Sequence, residues 1–297
     1  MKRFLLIGIS MSIWASAFSQ TDNLRRKIED IIASKKATVG VAVLNIENKD
    51  TLSINGNVHF PMQSVFKFHI ALAVLDGVDK GKFKLKQKIF IKKKDLLPNT
   101  WSPMRDKYPN GNVYLSLAEI LQFTVSQSDN NGCDILIRLL GGTQVIDDYI
   151  HGIGIKDFSI KTNEEEMHKD WNVQFTNWTT PFAAVEALKT AFEKKILSPK
   201  SHKFLWKAMT ETSTGKNKIK GQLPLGTVVG HKTGYSGANA QGLTAVTNDI
   251  GIVTLPNGNH FAVSVFVSMS TEKEAVNDRI IADITKAVWD YFNNSKK

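Results

Sequence analysis

Four short groups of residues in this chain could do chemistry together. In Phe60-Pro61-Met62-Gln63-Ser64-Val65-Phe66-Lys67 a proline-containing turn runs into an apolar segment, with a serine at the join and a lysine three residues on. If a helix begins there, Ser64 lies in its first turn and Lys67 stands one turn later on the same face. The amine then reaches the hydroxyl, and the helix N-terminus favours negative charge developing beside it. That arrangement activates a serine without a histidine. Alone, the S-x-x-K spacing is weakly specific, because a serine capping an amphipathic helix looks the same.

Three other groups join it. Ser128-Asp129-Asn130 falls between Phe123-Thr124-Val125 and the helix expected after Cys133, a join from which side chains can enter a cleft. Glu164-Glu165-Glu166 sits in a long polar stretch and offers a carboxylate base. Lys232-Thr233-Gly234 ends the β-rich run from Thr227 to His231; it supplies an ammonium, a hydroxyl and a glycine that lets substrate lie close to the backbone. Each has an ordinary reading, as a helix cap, a solvated acidic loop and a strand end. Their joint occurrence in this order, at domain-sized separations, argues against coincidence. Other chemistries find less support. No H-E-x-x-H or clustered Cys/His set is present, so neither a metal nor another cofactor is expected. Gly234-Tyr235-Ser236-Gly237-Ala238 approaches a nucleophile elbow but has alanine where the second glycine belongs.

These groups need a large framework, and 297 residues with 42% hydrophobic and 22% charged content can build one, in two lobes. Lys2 and Arg3, an apolar run from Phe4 to Trp14 and the small residues Ala15-Ser16-Ala17 have the order of a secretory signal peptide, cleaved after Ser19 or after Ala17. The run is too short for a permanent membrane anchor. A secreted, periplasmic protein is expected, and its single Cys133 cannot form an internal disulfide, so the core alone must hold the fold. The neighbours of Cys133 suggest a buried, inert thiol. Net charge is +10, about +8 without Lys2 and Arg3, with much of the excess between Lys80 and Lys94. There lysines alternate with apolar residues as on an extended edge with one wet face, and no nucleic-acid motif accompanies them. No nucleic-acid partner is expected.

Asp22 or Asn23 caps a helix over Leu24–Ala33; Thr38–Ile46 and Thr51–Ile54 read as a hairpin. The Ser64 helix continues to about Val78. Ser116 caps a helical stretch, Asp134–Leu140 follows and ends at Gly141-Gly142, and Gln144–Tyr149 is a further short helix. Lys161–Thr179 shows no period and is long for a structureless connection. Thr180-Pro181 opens another helix, Ser198–Thr210 one more; then short β runs follow at Gly226–His231, Gly242–Thr247 and His260–Met269, with Asn257-Gly258 as a hairpin turn. Thr271–Phe292 is a final amphipathic helix. The fold class expected is therefore α/β (α+β). An antiparallel sheet is built from both ends of the chain and flanked by the terminal helices, with an all-helical lobe inserted. The lobes are 20–60 with 211–297, and 61–210, and the site lies where they meet.

On these motifs the chain resembles the class A serine β-lactamases, within the wider penicillin-recognising enzymes. Ser126-Gln127-Ser128-Asp129-Asn130-Asn131-Gly132-Cys133-Asp134 and Glu164–His168 look most like the PER/VEB-type branch, and the likeness spans residues 22–294. The resemblance implies a β-lactamase/transpeptidase-like fold, a monomer, and hydrolysis of small-molecule β-lactams, extended-spectrum cephalosporins among them, through an acyl-enzyme on Ser64. It implies an oxyanion hole from the backbone N–H groups of Ser64 and Tyr235. Lys67 takes the serine proton directly or shares that role with a glutamate acting through water. Ser128 relays a proton to the leaving nitrogen, Asn130 orients the substrate's side-chain amide, and Lys232, Thr233 and Ser236 bind its carboxylate. Glu164 fits the family's water-activating position, with Met167 in the apolar place and His168 where asparagine is usual. No proline follows Glu164, which implies a rearranged, roomier loop. The family's extra arginine is absent from Asn239–Ile250, and Lys218 and Lys220 are the nearest replacements. Trp101 supplies an aromatic wall. A penicillin-binding peptidase and a drug-sensing domain would share the fold, and Glu164 distinguishes against both.

Overall fold

The computed structural model describes residues 21–193 and 196–294; the expected signal peptide, residues 1–19, lies outside them. Helices run over 21–32 (α1), Phe66–Asp79 (α2), Pro103–Lys107 (α3), Leu117–Ser126 (α4), Asn130–Leu140 (α5), Thr143–Gly152 (α6), Glu164–Met167 (α7), Pro181–Phe192 (α8), Pro199–Thr210 (α9) and Glu274–Asn294 (α10). Strands are Thr38–Asn45 (β1), Thr51–Ile54 (β2), Phe60–Pro61 (β3), Lys88–Ile91 (β4), Val113–Ser116 (β5), Phe158–Ser159 (β6), Trp178–Thr179 (β7), Val229–Tyr235 (β8), Thr244–Thr254 (β9) and His260–Ser270 (β10).

As expected, both ends of the chain build the main sheet. Its order is β2-β1-β10-β9-β8, and every pairing is antiparallel. Period-two alternation decides the packing of its faces. Val41 and Val43 of β1, with Val263 and Val265 of β10, meet Ile280, Ile284 and Val288 of α10 and Leu24 and Ile28 of α1. Ala42, Leu44, Ile250, Ile252 and Phe266 face the other way, into a core shared with α2, α4, α5 and α8. Each fully buried aliphatic side chain here is worth roughly 1.5–3 kcal/mol, so two apolar faces hold the sheet without a disulfide.

Several boundaries differ from the sequence reading, each for a local reason. Lys82–Lys86 is not extended. The backbone N–H groups of Lys82 and Phe83 donate to Gly77 O and close the end of α2, and the strand begins only at Lys88, paired with β5. α5 starts at Asn130 rather than Asp134, because Asp129 caps it through Gly132 N–H at 2.7 Å. Lys232-Thr233-Gly234 lies inside β8 rather than at its end, and Gly242–Thr247 grows into the eleven-residue β9. The stretch 161–179 carries α7, a 3-10 turn over Val173–Thr176, and β7, which pairs with β3 and β6.

The fully buried Asp129 also accepts from Ser102 Oγ at 2.9 Å and from Met104 N–H at 2.6 Å, so it ties the loop before α3 to the start of α5. Asp129→Ala leaves these donors buried without an acceptor. We expect a loss of roughly 3 kcal/mol in urea unfolding; a loss under about 1 kcal/mol would mean that the tie is dispensable.

Candidate active site

The chain reaches Ser64 through β3 and then a 3-10 turn, Gln63–Val65, that runs directly into α2. Ser64 thus sits in the first turn, as its spacing predicted, with its N–H among the donors that lack an intrahelical partner. It is not a capping serine: no side-chain cap bond is made there. Lys67 Nζ lies 2.6 Å from Ser64 Oγ.

Lys67 is fully buried, and three other elements supply its remaining partners. Its ammonium donates to Ser128 O at 3.0 Å and Asn130 Oδ1 at 2.5 Å. Glu164 Oε1 stands 2.6 Å away as an ion pair, with no directed hydrogen bond of its own among the described residues. Of the four oxygens around this ammonium, only the Ser64 hydroxyl and the Glu164 carboxylate can exchange a proton with it; the Ser128 carbonyl and the Asn130 amide oxygen hold it by accepting hydrogen bonds.

Ser128 adopts a left-handed conformation, φ 59°, in the turn between α4 and α5. That conformation is uncommon outside glycine and costs on the order of 1 kcal/mol. It aims Ser128 O at Lys67 and Ser128 Oγ at Lys232 Nζ, 2.9 Å away. Lys232, fully buried in β8, also donates to Thr233 O at 2.8 Å. Burial, and then the neighbouring Lys67 charge, hold its pKa well below the usual lysine range.

The ladder of β8 explains the place of Tyr235. Ser236 N–H donates to Val246 O on β9, so the residues alternating with Ser236 point off the free edge of the sheet. His231 O and Thr233 O do point that way, accepting from Thr212 Oγ1 and Lys232 Nζ. Tyr235 N–H faces the same side and borders the cleft with Ser64.

Of the three glutamates only Glu164 is buried. Asn163 and Glu166 form a capping box, which occupies Glu166 with the helix end. Asp134, one turn into α5 beyond Asn130, accepts from Glu164 N–H at 2.8 Å and Glu165 N–H at 3.1 Å. His168 Nδ1 donates to Glu164 O at 2.7 Å, and its Nε2 lies 3.4 Å from Thr100 Oγ1. Thr100 Oγ1 in turn accepts from Asn130 Nδ2 at 2.6 Å. The histidine therefore braces the loop backbone, and both its nitrogens face protein atoms. A cavity of about 280 Å³ opens behind it, between Leu97–Thr100 and the α7 segment.

A cleft of about 550 Å³ gathers Ser64, Trp101, Ser128, Asn130, Glu164, His168, Thr233, Gly234, Tyr235 and Ser236, while Lys67 and Lys232 lie beneath its floor. Trp101 is 59% exposed and forms a wall, its indole donating to Gln127 O. Ser236 lines the cleft while its Oγ donates to Gly237 O and accepts from Val246 N–H. Gly234 borders the cleft and is also required by protein packing: a Cβ there would meet Asn248 Oδ1 at 2.1 Å and Met62 O at 2.6 Å. Lys218 lines the cleft, whereas Lys220 does not; its amine points to Thr210 O. Cys133 is buried in α5, and burial raises its thiol well above the usual range, in keeping with an inert side chain. Sequence reasoning missed Thr100, Asp134, Gly215, Glu274 and Asp278. Only Asp134 had a signal, its place one turn after Asn130.

Burial, opposed by its two backbone hydrogen bonds and reinforced by the Glu164 charge, raises the Asp134 pKa to about 6. A carboxyl raised in the folded state favours folding below its unfolded pKa, and that contribution is lost as pH rises through about 6. We therefore expect wild-type stability, relative to Asp134→Asn, to fall by ~2 kcal/mol between pH 4 and pH 7. Urea unfolding across that range checks this; a constant difference would contradict it.

Residues 23–292 match the model of the Beta-lactamase enzyme family. Beta-lactamase VEB-1 of Pseudomonas aeruginosa is 51% identical over 99% of this chain and 98% of its own. Extended-spectrum beta-lactamase PER-1 of the same organism is 44% identical over 96% and 92%. The crystal structure of TLA-1 extended spectrum beta-lactamase superposes with a TM-score of 0.91 at 58% identity, covering 92% of this chain and 99% of that one.

Proposed function

This chain belongs to the beta-lactamase enzyme family, as a serine hydrolase of β-lactam antibiotics whose activity confers resistance, and we propose that Ser64 carries the reaction through an acyl-enzyme. The observation that supports this most is one buried amine within 2.6 Å of both Ser64 Oγ and Glu164 Oε1. In acylation the Ser64 Oγ–carbonyl carbon bond forms and the lactam C–N bond breaks. The serine proton passes to the Lys67–Glu164 pair, and Ser128 gives its proton to the departing nitrogen, recovering one across Lys67 and Lys232. The developing oxyanion is held by the N–H groups of Ser64 and Tyr235, a donor pair worth roughly 3–4 kcal/mol per donor in such sites.

Deacylation reverses the roles. The Glu164 carboxylate takes a proton from water, the hydroxyl attacks the ester, and Ser64 Oγ leaves with a proton returned from Lys67. His168 acts by bracing Glu164. Lys232 and Thr233 bind the substrate carboxylate, with Lys218 as the second cation in place of the family's arginine. Asn130 orients the side-chain amide, and Trp101 covers it. The site is complete within one chain, which supports a monomer divided into lobes 20–60 with 211–297, and 61–210. The 280 Å³ cavity beside α7 supports cephalosporins with bulky side chains as substrates. Among the described residues no helix is long and apolar enough to cross a membrane, and the Lys2–Gln20 pattern supports export to the periplasm. A peptidase of the same fold would acylate and stall, having no need of a carboxylate beside its lysine.

Glu164→Gln removes the proton acceptor while Lys67 keeps its other partners. With a cephalosporin, intact-mass spectrometry should show a persistent adduct on Ser64 and turnover reduced by about 10²–10⁴. Normal turnover in this variant, with loss in Glu165→Gln or Glu166→Gln, would move the base to another residue. The wild type should open a chromogenic cephalosporin catalytically in the presence of chelator; stoichiometric acylation without turnover would favour the peptidase.

A further inference from the structure

We propose that Tyr235, Glu274 and Asp278 form a subsite for a cationic group, and that among β-lactams it takes those with a pyridinium or quaternary ammonium substituent beside the ring carboxylate. This rests on the hydrolase reading above for the identity of the ligand, but the charge pattern stands on its own.

The end of the cleft that receives an anion holds as many negative as positive side chains. Lys232 and Lys218 supply two ammonium groups there. Against them stand Glu274 and Asp278 on the first turns of α10. A substrate bringing only a carboxylate would add a further negative charge to this set. A zwitterion that brings its own cation would not.

Geometry gives the cation a place. Asp278 is only 8% exposed, borders the cleft, and its Oδ1 has no hydrogen-bond partner among the described residues; Lys218 Nζ stands off at 3.9 Å. Such a buried, under-satisfied carboxylate oxygen is costly unless a further donor or charge reaches it. The Tyr235 ring is 40% exposed at the same end, and an aromatic face attracts cations. Lys218 already lies 5.8 Å from its centroid. Glu274 neighbours the Tyr235 hydroxyl, and burial together with that carboxylate keeps the phenol protonated. An aromatic surface flanked by two carboxylates suits a diffuse organic cation better than a hydrated metal ion, which prefers an all-oxygen shell. In cephalosporins the C3 substituent sits on the carbon next to the one bearing the carboxylate. Anchoring the carboxylate on Lys232 and Thr233 therefore brings that substituent to this end of the cleft.

The test uses two cephalosporins with the same acyl side chain, one with a pyridiniomethyl and one with an acetoxymethyl group at C3. Their dissociation constants are measured on Ser64→Ala, where acylation cannot interfere, at low ionic strength. The pyridinium compound should bind about five- to ten-fold tighter. Adding Glu274→Gln or Asp278→Asn to that background should erase most of the difference, as should added salt. Glu274 is exposed, so its variant keeps the test decisive if Asp278→Asn does not fold. Equal affinities, or a preference that Glu274→Gln leaves intact, would overturn the subsite. Should the wild type turn over neither compound while the binding ratio behaves as described, the subsite stands and the hydrolase reading falls.

Discussion

Two lysine side chains, Lys67 and Lys232, are fully buried at the junction of a helical region and a sheet, and much of the site's architecture compensates them. Removing an ammonium from water costs several kcal/mol even after relaxation, and the cost is met only by close, well-placed oxygens. Glu164, Ser128 O, Asn130 Oδ1 and Ser64 Oγ provide these for Lys67. Ser128 Oγ and Thr233 O provide them for Lys232. Because these partners come from α2, the α4–α5 turn, the start of α5, α7 and β8, the pair of charges fixes how five segments meet. Among these oxygens the hydroxyls of Ser64 and Ser128 and the Glu164 carboxylate both stabilise an ammonium and can exchange a proton with it.

This dependence explains which parts of the site were legible in the sequence. Ser64 and Lys67 are bound by helix periodicity, so spacing alone placed amine against hydroxyl. Apolar alternation in β1 and β10 likewise announced a sheet built from both ends of the chain. Boundaries were missed where a side chain or a helix end outcompeted local pattern. Asp129 capped α5 one turn early, and the end of α2 captured the backbone donors of Lys82 and Phe83. Gly234 was read as room for substrate, and it also accommodates Met62 O and Asn248, a contact between segments that no local pattern encodes.

The α7 segment shows the limit most clearly. Three consecutive glutamates offered three candidate bases. Burial of Glu164, engagement of Glu166 in a capping box with Asn163, and solvent exposure of Glu165 separate them. Asp134 and His168 hold the segment by its backbone, from below and from the side. Both nitrogens of His168 face protein atoms, so this side chain braces the segment rather than opening into the cleft with a free donor. The Lys218 end of the cleft shows the same economy: Lys218 is set in the wall by Gly234 O and Asp278, and its neighbours on α10 were invisible to motif reading because helix 274–294 follows the last motif by about forty residues.

The central claim is that one buried amine serves both Ser64 and Glu164. Lys67→Met keeps much of the side-chain volume and removes the amine, and stopped-flow measurement of a single turnover with a chromogenic cephalosporin separates the two half-reactions. The account predicts acylation slowed by about 10³-fold or more, with the small amount of acyl-enzyme that forms also released slowly. Acylation within about ten-fold of wild type would show that Ser64 is activated by another group, and would contradict the account.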